Sequence, residues 1–162
     1  MNTQLRDIEK KKRHICVLGL GYVGLPLAIE LDKHYPVIGF DIDETKIKEL
    51  KKGHDRTHEV ENDILKSSTI DYTTDPKILQ KASIIIVTVP TPIDDNNKPN
   101  LNPVISATKM IGQHLSKNSI IIYESTVYPG VTEDICRPIL EKESKLTFGK
   151  DFTLGYSPER IS

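Results

Sequence analysis

Short apolar runs alternate with amphipathic stretches along most of the chain, and this rhythm predicts a parallel sheet covered by helices. Six runs read as strands, at 14–19, 37–41, 69–72, 83–89, 119–124 and 152–156. Ile84-Ile85-Ile86-Val87 and Ile120-Ile121-Ile122 are continuously apolar instead of alternating, as in strands buried on both faces. Helices are therefore expected on both sides of the sheet.

The polar positions between the strands mark where helices begin and end. Asp43 offers a cap, Ile47 and Leu50 share a face, and Gly53 closes the end, so 43–52 reads as a helix. Asn102 followed by Pro103 reads as a cap and first helical position, after which Val104, Thr108, Ile111 and Leu115 recur at helical spacing. Asp75-Pro76 repeats the device. The stretch after Gly130 is helical through Val131, Ile135 and Ile139, and Pro138 is expected to bend it. The least structured piece, 90–100, is a Pro, Asp and Asn-rich loop behind a strand, where open parallel sheets form their ligand crevice.

With 162 residues the chain suits one domain with its own core. A formal net charge of −1 removes any general pull toward polyanions, so nucleic acid is not an expected partner. The basic run 10–13 ends a polar lead-in, 1–13, and is read as solvated. Cys16 and Cys136 suggest neither a disulfide framework nor a metal knuckle, and no apolar stretch approaches membrane-spanning length. The expectation is a cytoplasmic protein without a membrane partner.

Candidate chemistry begins at Gly19-Leu20-Gly21-Tyr22-Val23-Gly24, which directly follows the strand Ile15-Cys16-Val17-Leu18 and opens the helical segment 25–31. In such a turn the first glycine permits a tight bend, the second lets backbone approach a pyrophosphate, and the third allows close helix–strand packing. The open amides of the helix N-terminus then supply an anion site. Asp41 lies 22 residues after Gly19, at the end of the next strand, where a carboxylate accepts hydrogen bonds from an adenosine ribose and repels a 2′-phosphate. The expected fold class is thus α/β, a Rossmann-type doubly wound, mostly parallel six-stranded sheet with helices on both faces, and the expected cofactor is NAD. A structural turn with nothing bound is the competing reading of the glycines alone.

The sequence resembles the UDP-glucose/GDP-mannose dehydrogenase family, in particular the branch oxidising UDP-N-acetylhexosamines for surface polysaccharides. The resemblance rests on the glycine turn with Leu25-Pro26, on Gly39-Phe40-Asp41-Ile42-Asp43 and on Val89-Pro90-Thr91-Pro92. Glu124-Ser125-Thr126-Val127-Tyr128-Pro129-Gly130 and Tyr156-Ser157-Pro158-Glu159-Arg160 complete it. It implies that Gly19, Gly21, Tyr22, Val23 and Gly24 lie at the pyrophosphate, that Asp41 and Lys46 lie at the ribose, and that Thr91 and Thr126 meet the cofactor in the crevice. Each has a plainer reading: Lys46 as a solvated charge, Tyr22 and Val23 as core packing, and the threonines as local turn partners.

The resemblance further implies that Glu159 orders water or moves protons near the reacting sugar carbon, with Arg160 and Ile161 as substrate contacts to a UDP-sugar. The family's nucleophilic cysteine, lysine and asparagine would lie downstream, with a central helix and a sugar-nucleotide domain outside this sequence. Residues 14–162 are accordingly read as the NAD-binding domain of an enzyme that is a homo-oligomer at full length and inactive as this piece. The alternatives are a free-standing, non-catalytic NAD-binding module and a hydroxyacid dehydrogenase of the 3-hydroxyisobutyrate type. His54, Asp55, Arg56 and His58 form a polar cluster with too few ligands for zinc, so no metal is expected. That cluster reads as a loop closing over the cofactor or touching a neighbouring subunit.

Overall fold

Parallel neighbours cannot be joined by tight turns, so the chain needs a crossover after each strand, and its amphipathic stretches supply them. The computed structural model describes residues 6–8, 10, 12–93 and 98–157. Strands β1 (His14–Leu18), β2 (Val37–Phe40), β3 (Asp71–Thr73), β4 (Ala82–Val87), β5 (Ser119–Tyr123) and β6 (Phe152–Tyr156) form one sheet in the order β3-β2-β1-β4-β5-β6. Every pairing is parallel, with registers such as Val17↔Gly39, Cys16↔Ile85, Ile85↔Ile121 and Ile121↔Leu154. The order reverses between β1 and β4, which opens a crevice at their carboxyl ends.

Alternate residues of each strand feed opposite cores. Cys16, Leu18, Ile38, Phe40, Ile85, Val87 and Ile121 pack against Val104, Ala107 and Ile111 of α4 (Asn102–His114) and Leu140 of α5 (Arg137–Ser144). Val17 and Val37 pack on the other side, against Leu25, Ala28 and Ile29 of α1 (Gly24–Asp32) and Ile47 and Leu50 of α2 (Glu44–Lys51). Each of the Val, Leu, Ile and Phe side chains among these contributes about 1.5–3 kcal/mol on burial, which is why the sheet sits between two helical layers.

Asp43 caps α2 by accepting from the Lys46 amide, and Gly53 follows its end at φ +73°. Asp75 accepts from the Lys77 amide and starts the short 3₁₀ helix Pro76–Lys81. Other boundaries differ from expectation. Leu101, not Asn102, is the cap residue of α4; Asn100 Oδ1 instead accepts the Asn102 amide at 2.9 Å. Pro103 then falls within the first turn, where its missing N–H needs no intrahelical partner. After Gly130 the chain is helical without a break through residue 144, as expected, but its first part, Val131–Cys136, is a wide π-helical stretch that runs straight into α5, with Pro138 just past the change to regular turns. The third strand begins at Asp71, because Thr69 is held by Asp32 through its amide and hydroxyl, each at 2.7 Å. Helix α3 (Asn62–Ser67) was not anticipated, since six residues burying only Leu65 carry no readable period.

Of the described lead-in residues, Lys10 and Lys12 are exposed as expected, while two others are not solvated. Ile8 is 1% exposed against Ile15 and Ile86, and Arg13 donates to Ser83 Oγ (2.9 Å) and to the Ala82 carbonyl (2.8 Å). Among the described residues no helix is long and apolar enough to cross a membrane.

Candidate functional site

The crevice is built outward from the end of β1. Gly19 turns the chain at φ +101°, a conformation that L side chains rarely adopt, and its amide donates to the Phe40 carbonyl at 2.8 Å. Thr88, just beyond β4, donates its hydroxyl to the Gly19 carbonyl at 2.6 Å and ties the turn to the neighbouring strand. Gly24 packs against that same carbonyl: a Cβ there would stand 1.8 Å from Gly19 O and 2.4 Å from Thr88 Oγ1. Gly21 is the opposite case, since a Cβ there would meet nothing within 4 Å. Its open side belongs to the crevice. Val23, the cap residue of helix α1, makes no side-chain cap, and the first turn holds no acidic residue. The Leu25 amide already donates to the Gly21 carbonyl at 3.1 Å and Pro26 has no N–H, so the amides at 22–24 are the ones that face an incoming anion.

Asp41 holds the other side of the turn. The residue is 7% exposed; Oδ2 accepts from the Leu20 amide (2.9 Å) and Lys46 Nζ (2.8 Å), and Oδ1 accepts from the Asp43 amide (3.0 Å). An ionised carboxylate has about four acceptor positions, so capacity remains for a ligand hydroxyl. The Lys46 ammonium is engaged with Asp41 in a half-buried pair, so it is not a freely solvated charge. Asp43 Oδ2 also accepts from Arg56, whose Nε donates to Glu49 at 2.6 Å.

The loop after α2 is organised by a buried acid. Asp55 accepts from the Thr57 amide and hydroxyl and from the Glu59 and Val60 amides, at 2.7–3.1 Å. Burial alone would raise its pKa, but these four donors outweigh that penalty and hold it below the usual carboxylate range. The cluster is therefore a hydrogen-bonded turn, and no group of three metal-ligating side chains occurs among the described residues.

At the far end, Thr91 donates its hydroxyl to the Thr126 carbonyl at 2.7 Å, and Ser125 donates to the Val89 carbonyl at 2.6 Å. The loops after β4 and β5 are thereby clasped to each other. The whole forms one cleft of about 890 Å³, within the range of small-molecule sites.

Gly19, Gly21, Tyr22, Val23, Asp41, Lys46, Thr91 and Thr126 all line this cleft. Gly24 lies behind it, as a packing residue. Tyr22 is 70% exposed at the mouth, which removes the reading of its ring as core. Glu159, Arg160 and Ile161 lie outside the described residues. Sequence reasoning missed Thr57, Thr88, Ser106 and Met110, which also line the cleft. Thr88 was legible in principle as the hydroxyl directly after β4; Thr57, Ser106 and Met110 reach the cleft only through tertiary packing. Cys16 and Cys136 are buried, and burial pushes both thiols up, so neither is a nucleophile.

Residues 13–162 match the profile of the UDP-glucose/GDP-mannose dehydrogenase family, NAD binding domain. The chain is 54% identical over 150 residues to Protein CapL of Staphylococcus aureus, covering 93% of this chain and 35% of that protein. It is 52% identical over 153 residues to the UDP-N-acetyl-D-glucosamine 6-dehydrogenase of Pseudomonas aeruginosa, covering 94% and 36%. The solved structure of the UDP-D-ManNAc dehydrogenase of Pyrococcus horikoshii superposes with a TM-score of 0.82 at 32% identity, over 92% of this chain and 37% of that one. The chain thus spans little more than a third of the length of these relatives.

Proposed function

The chain belongs to the UDP-glucose/GDP-mannose dehydrogenase family, as its NAD-binding domain, and from that premise we propose that the whole protein oxidises a UDP-N-acetylhexosamine at its primary alcohol to the uronic acid. Two relatives at more than half identity support the branch: one bears the name UDP-N-acetyl-D-glucosamine 6-dehydrogenase and the other the name CapL. The matches to these dehydrogenases set aside a hydroxyacid dehydrogenase of the 3-hydroxyisobutyrate type. Alcohol to carboxylate is a four-electron oxidation, and NAD supplies its chemistry by accepting one hydride in each of two successive turns.

The observation that carries the cofactor reading is the junction of the open Gly21 backbone with the buried Asp41 carboxylate along one cleft. In this reading the amides around Gly21, Tyr22 and Val23 bind the pyrophosphate, and Asp41 accepts from the adenosine ribose with Lys46 holding the carboxylate in place. Gly19 and Gly24 keep the turn close to the sheet. Thr91 and Thr126 orient the nicotinamide end, where their loops are clasped together. Glu159 is assigned the water-ordering or proton-moving role near the sugar carbon, with Arg160 and Ile161 as UDP-sugar contacts. The remaining catalytic groups and the sugar-binding domain belong to the part of the relatives that this chain does not span. A cytoplasmic homo-oligomer is the assembly proposed for the whole protein.

Calorimetric titration of the chain with NAD and with NADP tests the cofactor assignment. NAD should bind at least tenfold more tightly, because a 2′-phosphate would face the Asp41 carboxylate in a half-buried site. Equal affinities, or no NAD binding, would contradict it. For the whole protein, UDP-N-acetylglucosamine should yield two NADH per uronate formed, and a yield of one would remove the proposed reaction.

A further inference from the structure

We propose that Thr57 is an additional contact to the adenosine half of the cofactor, acting only as a hydrogen-bond acceptor, and that Asp55 imposes this polarity. The inference rests on the reading that the cleft takes NAD and names a group that recognises it there. Thr57 lines the cleft together with Asp41, Ile42 and Lys46, yet it comes from the loop after α2. Its hydroxyl proton already has a destination: Thr57 Oγ1 donates to Asp55 Oδ1 at 2.7 Å. A hydroxyl has one proton and two lone pairs, so toward a ligand Thr57 can only accept.

Asp55 is built to stay ionised and in place. It is 3% exposed, and its second oxygen is occupied by the Glu59 and Val60 amides at 2.9 and 3.1 Å. His58, between Thr57 and the Glu59 amide in this turn, is in the left-handed region at φ +57°. Arg56 fastens the turn to helix α2 through Asp43 and Glu49, and the Asp43 amide in turn donates to Asp41 Oδ1. Thr57 and Asp41 are thus tied into one hydrogen-bonded frame.

Two acceptors on this end of the cleft select ligand groups that carry protons, here the adenosine ribose hydroxyls. A 2′-phosphate is doubly or singly ionised at neutral pH and has little to donate, so Thr57 adds to the rejection that Asp41 begins.

The test compares Thr57→Val, which keeps the shape and removes the lone pairs, with Thr57→Ser, which keeps the hydroxyl. Each is titrated with NAD, NADP, ADP-ribose and nicotinamide mononucleotide, with thermal melting recorded on the same samples. Thr57→Val should weaken NAD and ADP-ribose by about fivefold, the worth of one hydrogen bond, and shrink the preference over NADP by the same factor. Nicotinamide mononucleotide should be unaffected, and Thr57→Ser should behave as the unmutated chain. Unchanged NAD affinity in a folded Thr57→Val protein would overturn the proposal while leaving the cofactor reading intact. An equal loss for NAD and NADP would overturn it too, since a turn that had merely loosened would not discriminate. Failure of the unmutated chain to bind NAD would overturn both.

Discussion

Adding one methyl group to either of two glycines in the same turn should produce opposite results. At Gly21 the new Cβ meets no atom within 4 Å, and the glycine's φ is not in the left-handed region, so Gly21→Ala should fold normally. Its stability should change by less than about 1 kcal/mol, with a small gain expected from a stiffer unfolded chain. The methyl projects into the cleft, where the backbone is proposed to approach the pyrophosphate, so NAD affinity should fall at least tenfold, about 1.4 kcal/mol or more. At Gly24 the new Cβ would stand 1.8 Å from the Gly19 carbonyl oxygen, a backbone atom that cannot swing away. Helix α1 must then move off β1, at a cost near the upper end of overpacking, about 3 kcal/mol. For a chain of this size that lowers the melting temperature by roughly 6–12 °C. Thermal melting and NAD titration on the same preparations read both effects. Full NAD affinity in Gly21→Ala would remove the turn as the pyrophosphate seat, and an unshifted melting temperature in Gly24→Ala would refute the close-packing argument.

Asp41→Ala strands the Leu20 amide and Lys46, so it should lose about 2–4 kcal/mol in denaturant titration together with NAD affinity, whereas Asp41→Asn should lose less stability yet surrender the preference for NAD over NADP. Retention of that preference in Asp41→Asn would count against the ribose assignment. Asp55 titrates below its ordinary value, so the unfolded chain takes up its proton first; the stability it contributes is whole above about pH 4 and lost on further acidification, and Asp55→Asn should flatten that part of the acid-unfolding curve. For His14, burial first and then the Lys81 and Arg13 charges lower the pKa. Its contribution is present above about pH 6.5 and declines as pH falls through that value, so His14→Gln should reduce the slope of stability between about pH 7 and pH 5. Cys16 and Cys136 should resist a thiol-specific reagent until denaturant is added, and rapid labelling of native protein would show that the cores open.

The strand pattern and the glycine turn were readable because both are local. Continuous apolar runs at 84–87 and 120–122 announce strands buried on two faces, and a glycine trio between a strand and a helix announces its own geometry. Boundaries were read less well wherever distant atoms decided them. Thr69 left its strand for Asp32, 37 residues away, and Arg13 left solvent for β4. Neither partner is visible from the neighbouring residues.

The same division runs through the site. Residue types and spacing alone nominated Gly21 and Asp41, since a bare backbone after a strand and an acid at the end of the next one are features of sequence order, and the family resemblance added Thr91 and Thr126. Only the assembled sheet decided that Thr88 ties the glycine turn to β4, that Thr91 clasps the Thr126 carbonyl, and that Thr57 enters the wall at all. Those outcomes depend on angstrom-scale approaches between segments tens of residues apart, and side-chain periodicity carries no information about such distances.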